Sequence, residues 1–165
     1  MFLDSILAIA NVRVRLTPSL VEDICKLAGT DKFSKALPNL EIAIKTVSGI
    51  LDDINRGCKV YVVDAEGNKG KISFDVQCAL GDDEEDDSAI VRNRITKGLA
   101  NDIITLAERM GFKRKDGKAT TISNALPYLH AAIIIAEDLK ERLDNGTKFY
   151  LVEPNGEKYI MRFFQ

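Results

Sequence analysis

The chain has 165 residues, of which 45% are hydrophobic and 29% charged, a balance that suits a globular protein with one sizeable core or two small ones. No run of 18 or more apolar residues occurs, so no membrane-spanning helix is expected. The net charge of −2 names no polyanion partner, but six acidic residues stand together from Asp82 to Asp87, and setting them aside moves the balance to +4.

Phe2 to Ala10 are apolar without a basic leader or a cleavage site, and read as part of the fold and not as a signal peptide. Val12, Val14 and Leu16 alternate with Arg13 and Arg15, the period-two pattern of a strand with one apolar and one basic face. Thr17 suits an N-cap, Pro18 the first helical position and Gly29 the stop, so a helix of about three turns is predicted between them. Ser34 is the expected N-cap of a second helix. There Leu37, Leu40, Ile44, Val47, Leu51 and Ile54 form an apolar stripe over roughly five turns, with Pro38 in the first turn and Gly57 at C′. A hairpin follows, with one strand over Lys59 to Asp64, a turn containing Gly67 and a second strand from about Lys71 to Val76.

The same unit is then written again. Val12 to Ala28 aligns without gaps on Val91 to Ala107, with nine identities in seventeen positions at a constant offset of 79. The match resumes at an offset of 89. Ser34, Ala36, Leu37, Pro38 and Leu40 recur as Ser123, Ala125, Leu126, Pro127 and Leu129. Gly57, Lys59, Tyr61, Val63, Gly67, Lys69 and Phe74 recur as Gly146, Lys148, Tyr150, Val152, Gly156, Lys158 and Phe163. The second copy therefore carries ten extra residues between Ala107 and Ser123. In its hairpin, Glu153-Pro-Asn-Gly-Glu157 places proline, asparagine and glycine where a three- to five-residue loop needs them. The expected organisation is a β-α-α-β-β repeat over 1–76, an acidic linker over 77–88 and a second repeat over 89–165, the two co-folding as one pseudo-symmetric body.

The strand Val12-Arg-Val-Arg-Leu leads through Thr17 into a short helix, and Phe33-Ser-Lys-Ala-Leu opens a second; Val91-Arg-Asn-Arg-Ile-Thr96 and Leu106 to Phe112 repeat the pattern. This resembles the ribbon-helix-helix repressors of the Arc, plasmid copy-control and methionine repressor type, over about 45 residues of each unit and not over the hairpins. The resemblance implies an α+β fold in which the two strands pair antiparallel within one chain, a single-chain pseudo-dimer with a C-terminal β-hairpin on each unit. It implies double-stranded DNA as the partner and transcription regulation as the role. Arg13, Arg15, Arg92 and Arg94 would face bases in the major groove. Ser34, Lys35 and Ala36, with Ser123, Asn124 and Ala125, would present helix N-termini to backbone phosphates. Asn93 replaces Val14 at an inward position and would need a polar partner. The insertion after Met110 contains Lys113, Arg114, Lys115 and Lys118, and reads either as a phosphate grip or as a solvated loop.

Other features point to no chemistry. The acidic run reads as a solvated linker or as a nucleic-acid mimic covering the ribbon. His130 has no metal-ligand spacing around it and reads as structural, and Tyr61 and Tyr150 read as hairpin packing residues. Cys25, Cys58 and Cys78 are odd in number without C-x-x-C spacing, which fits a reducing cytoplasmic compartment. Neither a thiol nucleophile with a base nor paired carboxylates are evident, so no enzyme, cofactor or metal is expected. The alternative to DNA binding is a protein-interaction or assembly module, whose hairpins would form the interface or self-associate.

Overall fold

The computed structural model describes residues 11–72 and 91–163; the expectations for Phe2–Ala10, for the linker 77–88 and for Cys78 fall outside them. The elements in chain order are β1 (Asn11–Leu16), α1 (Pro18–Ala28), α2 (Phe33–Asn55), β2 (Lys59–Val63), β3 (Lys69–Ile72), β4 (Val91–Thr96), α3 (Lys97–Arg109), α4 (Ile122–Asp144), β5 (Lys148–Val152) and β6 (Lys158–Ile160). The protein is mixed α+β, with four helices and two small antiparallel sheets among these residues. One sheet pairs β1 with β4, and the other has the order β3-β2-β5-β6.

Both sheets are centred on equivalent positions of the two copies. Val14 pairs with Asn93 in the first, and Tyr61 pairs with Tyr150 in the second. Each sheet thus joins one copy to the other, as expected for β1 and β4, whereas the sequence leaves the pairing of the hairpins open.

Local chemistry explains most boundaries. The Thr17 hydroxyl accepts from the Leu20 amide at 3.3 Å, and Thr96 accepts from Leu99 at 3.1 Å, so α1 and α3 begin with the same side-chain cap. Replacing both threonines by alanine is expected to lower stability by about 1 kcal/mol per site, read by chemical denaturation; a double variant as stable as the parent would count against this role. At the far end of the long helices, Gly57 and Gly146 hold φ of 95° and 89° at C′, a conformation that disfavours any residue with a Cβ.

Some details differ from expectation. The N-cap of α2 is Lys32, not Ser34, and it makes no side-chain cap bond. Pro38 therefore lies in the second turn, and Pro127 holds the same place in α4. Both long helices run 23 residues, more than six turns and not five. Strand β3 begins at Lys69, two residues early, because the turn closes sooner: the Gly67 amide donates to the Asp64 carbonyl at 3.0 Å, and the Asp64 carboxylate accepts from the amides of Glu66 and Asn68. The matching loop closes with the Gly156 amide on the Glu153 carbonyl at 2.8 Å.

The core has two parts. The larger packs the undersides of β1 and β4, represented by Val14, Leu16 and Ile95, against all four helices. The smaller lies where the four-stranded sheet covers Ile50 and Leu139 of the long helices, and contains Val60, Phe149 and Leu151. Ile135 of α4 packs against both. Tyr61 and Tyr150 belong to neither: the pairing puts them on the opposite sheet face from Val60 and Leu151. Both are half-buried there, so any packing they do is on the outer face of the sheet and not in either core.

Candidate nucleic-acid interface

The β1–β4 ribbon presents its two faces differently because side chains alternate along each strand. Val14, Leu16 and Ile95 are buried beneath it, whereas Arg13, Arg15 and Arg94 are exposed. The pairing sets Arg13 directly against Arg94, and Arg15 against position Arg92. The remaining positions on that face are Asn11 and Thr96, so it carries no carboxylate. Like charges directly opposite each other on a strand pair are destabilising. Arg13 against Arg94, with Arg15 exposed beside them, is thus a concentration of positive charge that folding alone does not favour. Asn93 occupies the position paired with Val14; its side chain lies outside the description, and so does the partner it was expected to need.

The two candidate phosphate-facing helix starts are not alike. At α2, Ser34 and Lys35 are exposed in the first turn, and the amides of Lys35 and Ala36 turn back to the Lys32 carbonyl at 3.1 and 3.2 Å. At α4, Ser123 and Asn124 are likewise exposed, but Thr121 is the cap: its hydroxyl accepts from the Asn124 amide at 3.3 Å and donates to Asn124 Oδ1 at 2.8 Å. The start of α4 therefore satisfies itself in part, while that of α2 has no side-chain cap.

The insertion is also divided. Two of its residues, Glu108 and Arg109, extend α3 beyond the end of α1. The rest forms a loop organised by Arg114, whose Nε and Nη2 donate to the Asp116 carboxylate at 3.0 and 2.5 Å and whose Nη1 donates to the Ala119 carbonyl at 3.2 Å. That guanidinium holds the Asp116 carboxyl below its usual range. Arg114 shapes its own loop, whereas Lys113 and Lys115 remain exposed.

Two helix crossings that the repeat makes equivalent carry different polar groups. Where α1 meets α4, His130 Nε2 donates to Asp23 Oδ2 at 2.6 Å, and Lys140 Nζ donates to the Leu27 carbonyl at 3.0 Å. Where α2 meets α3, Arg109 donates to the Ser48 hydroxyl and lies 3.2 Å from Asp52 Oδ2. The repeat places Glu137 at the position of Ser48, and Glu137 Oε1 is buried without a hydrogen-bond partner. Burial, and after it the charge of Asp23, pushes the Glu137 carboxyl up, with Lys26 and His130 acting against them. A carboxyl raised in the folded state keeps a proton that the unfolded chain has released. Its contribution therefore falls as pH rises from the ordinary carboxylate range through the raised folded value. Glu137→Gln is expected to stabilise the protein near neutral pH by about 1 kcal/mol and to flatten that part of the stability profile; equal profiles for variant and parent would refute this.

Cys25 and Cys58 are buried, and burial together with Asp31 pushes the Cys25 thiol up, away from a reactive thiolate. Among the described residues no group of three or more His, Cys, Asp or Glu side chains could hold a metal ion, and no helix is long and apolar enough to cross a membrane. Sequence reading did not find the Asp23–His130 contact, which joins side chains 107 residues apart. Nor did it find what the outward face of the four-stranded sheet assembles, because that face comes from hairpins in both copies. No protein-family model, curated protein or solved structure matches the chain.

Proposed function

We propose that the protein is a double-stranded-DNA-binding regulator, a tandem ribbon-helix-helix arrangement in which one chain supplies both strands of a ribbon that enters the major groove. The observation that carries this is the exposed Arg13, Arg15 and Arg94 on the face opposite the buried Val14, Leu16 and Ile95, with position 92 paired to Arg15 in the register. A two-stranded ribbon fits a groove about 12 Å wide, and an arginine fork matches guanine O6 and N7. The four arginines come from two copies with different surroundings, so the preferred site is not a perfect palindrome.

Phosphates are held at the flanks, more firmly by Ser34 and Lys35 at the uncapped start of α2 than by Ser123 and Asn124 at the Thr121-capped start of α4. Lys113 and Lys115 add charge to the second flank. Arg114, engaged with Asp116, acts indirectly by shaping that loop.

Titration of random-sequence duplex at low salt tests the reading. Binding is expected to weaken steeply as salt rises, since phosphate contacts release counterions. Absence of duplex binding at low salt overturns it and leaves the assembly-module alternative.

A further inference from the structure

The outward face of the four-stranded sheet has its own composition. Its ten positions, read from the pairing, are Lys69 and Lys71 on β3, Lys59, Tyr61 and Val63 on β2, Lys148, Tyr150 and Val152 on β5, and Lys158 and Ile160 on β6. Five are lysines, all exposed, and none is a carboxylate. Tyr61 and Tyr150 sit side by side at the centre as direct cross-strand partners, with lysines towards both ends of the sheet. The ion pairs among the described residues lie elsewhere and engage none of these lysines.

We propose that this face is a second nucleic-acid surface, specific for single strands, on which bases stack on Tyr61 and Tyr150 while the backbone follows the surrounding lysines. The charge selects a polyanion, and the two tyrosines at neighbouring positions select one that carries flat unpaired faces, because stacking needs bases that are not already stacked in a duplex. The shape agrees. Four strands about 4.8 Å apart span about 14 Å between the outer two before side chains are added, too broad for the major groove that the ribbon fits. An acidic protein segment would satisfy the lysines but leave the tyrosine pair without a role. The face lies over the smaller core at the ends of the long helices, so it is separate from the ribbon, and the inference does not depend on the ribbon reading.

The test uses the full-length protein and short fluorescein-labelled oligo(dT) and oligo(U), with anisotropy for affinity. The chain has four tyrosines and no tryptophan, so quenching of tyrosine emission reports stacking directly. Both oligonucleotides are expected to bind at low salt and to quench that emission; one binding much more tightly would assign the surface to DNA or RNA. Five neutralised phosphates predict a log-log salt slope of about −3.5. Tyr61→Leu with Tyr150→Leu is expected to weaken binding by about tenfold or more, while Tyr61→Phe with Tyr150→Phe keeps it within about twofold, since stacking needs a ring and not a hydroxyl. Glutamine at Lys59, Lys69, Lys71, Lys148 and Lys158 is expected to remove the salt dependence with most of the affinity. A variant lacking Arg13, Arg15, Arg92 and Arg94 is expected to bind single strands undiminished, which separates this surface from the ribbon. Circular dichroism checks each fold, and the phenylalanine and glutamine variants keep the test decisive should the leucine pair not fold. The proposal is overturned by absence of single-strand binding, by loss of binding with the ribbon arginines, by a folded leucine variant that binds as before, or by poly-glutamate competing as well as oligo(dT).

Discussion

Replacing Arg13, Arg15, Arg92 and Arg94 together by alanine is expected to abolish specific duplex binding. Each good bidentate arginine-guanine contact is worth about 1–3 kcal/mol of discrimination. The gap between specific and non-specific binding is typically about 4–10 kcal/mol. Four such losses span that whole gap, so the variant should retain at most weak, sequence-blind attraction, a drop of about a thousandfold or more. A second variant, with threonine at these positions, should lose binding alike while its stability moves the other way. Threonine at the same four positions removes two arginine-arginine pairs and sets threonine opposite threonine, which is favourable across a strand pair; a gain of about 0.2–1 kcal/mol per pair follows. Loss of binding with a gain in stability is hard to obtain from a variant that merely misfolds. Unchanged duplex affinity in the alanine variant, measured by anisotropy across a salt series, would eliminate the ribbon mechanism.

Phe149→Ala is expected to be the most destabilising single substitution in the sheet. Phe149 is 1% exposed in a core region of six buried residues, and its ring meets Phe163 edge-on at 5.4 Å between centroids. Truncating a buried phenylalanine typically costs about 3–5 kcal/mol, and so small a cluster has few neighbours with which to refill the space. Because the larger core lies elsewhere, hydrogen exchange should show protection lost first in β2, β3, β5 and β6 and kept in β1 and β4. A loss below about 1 kcal/mol, or uniform loss of protection, would show that the two cores do not behave as separate units.

What the sequence revealed depended on distance along the chain. The apolar-basic alternation of Val12 to Leu16 and the Thr17 cap are short-range signals, and the structure follows both. The repeat carried further: in both sheets, equivalent residues of the two copies meet. The start of α2 was misjudged because Ser34 has the chemistry of a cap, yet the N-cap lies two residues earlier, at Lys32, whose amide donates to Thr30 Oγ1. Candidate ribbon residues were legible because their alternation lies within single strands. The lysine-tyrosine face was not, because each hairpin contributes only half of it. Lysine at alternate positions of an isolated hairpin looks like ordinary solvated surface. Arg114 also carried two readings, since nothing in a basic run foretells which of its cations a nearby Asp116 will take up.

The unequal crossings, Asp23 with His130 on one side and Arg109 with Ser48 on the other, bear on how such a chain evolves. In a symmetric assembly of two identical subunits, every interface residue must suit the mirror role as well, and each substitution is felt twice. Fusion of the halves lifts that requirement. Here the counterparts of Asp23 and His130 are Asp102 and Glu41, so a first half offered another first half would set Asp23 towards Glu41, acid against acid. A second half differs, since its own kind would set Asp102 towards His130, so by this contact self-pairing is discouraged in the first half alone. The same freedom lets the two sides of a binding surface be tuned one residue at a time.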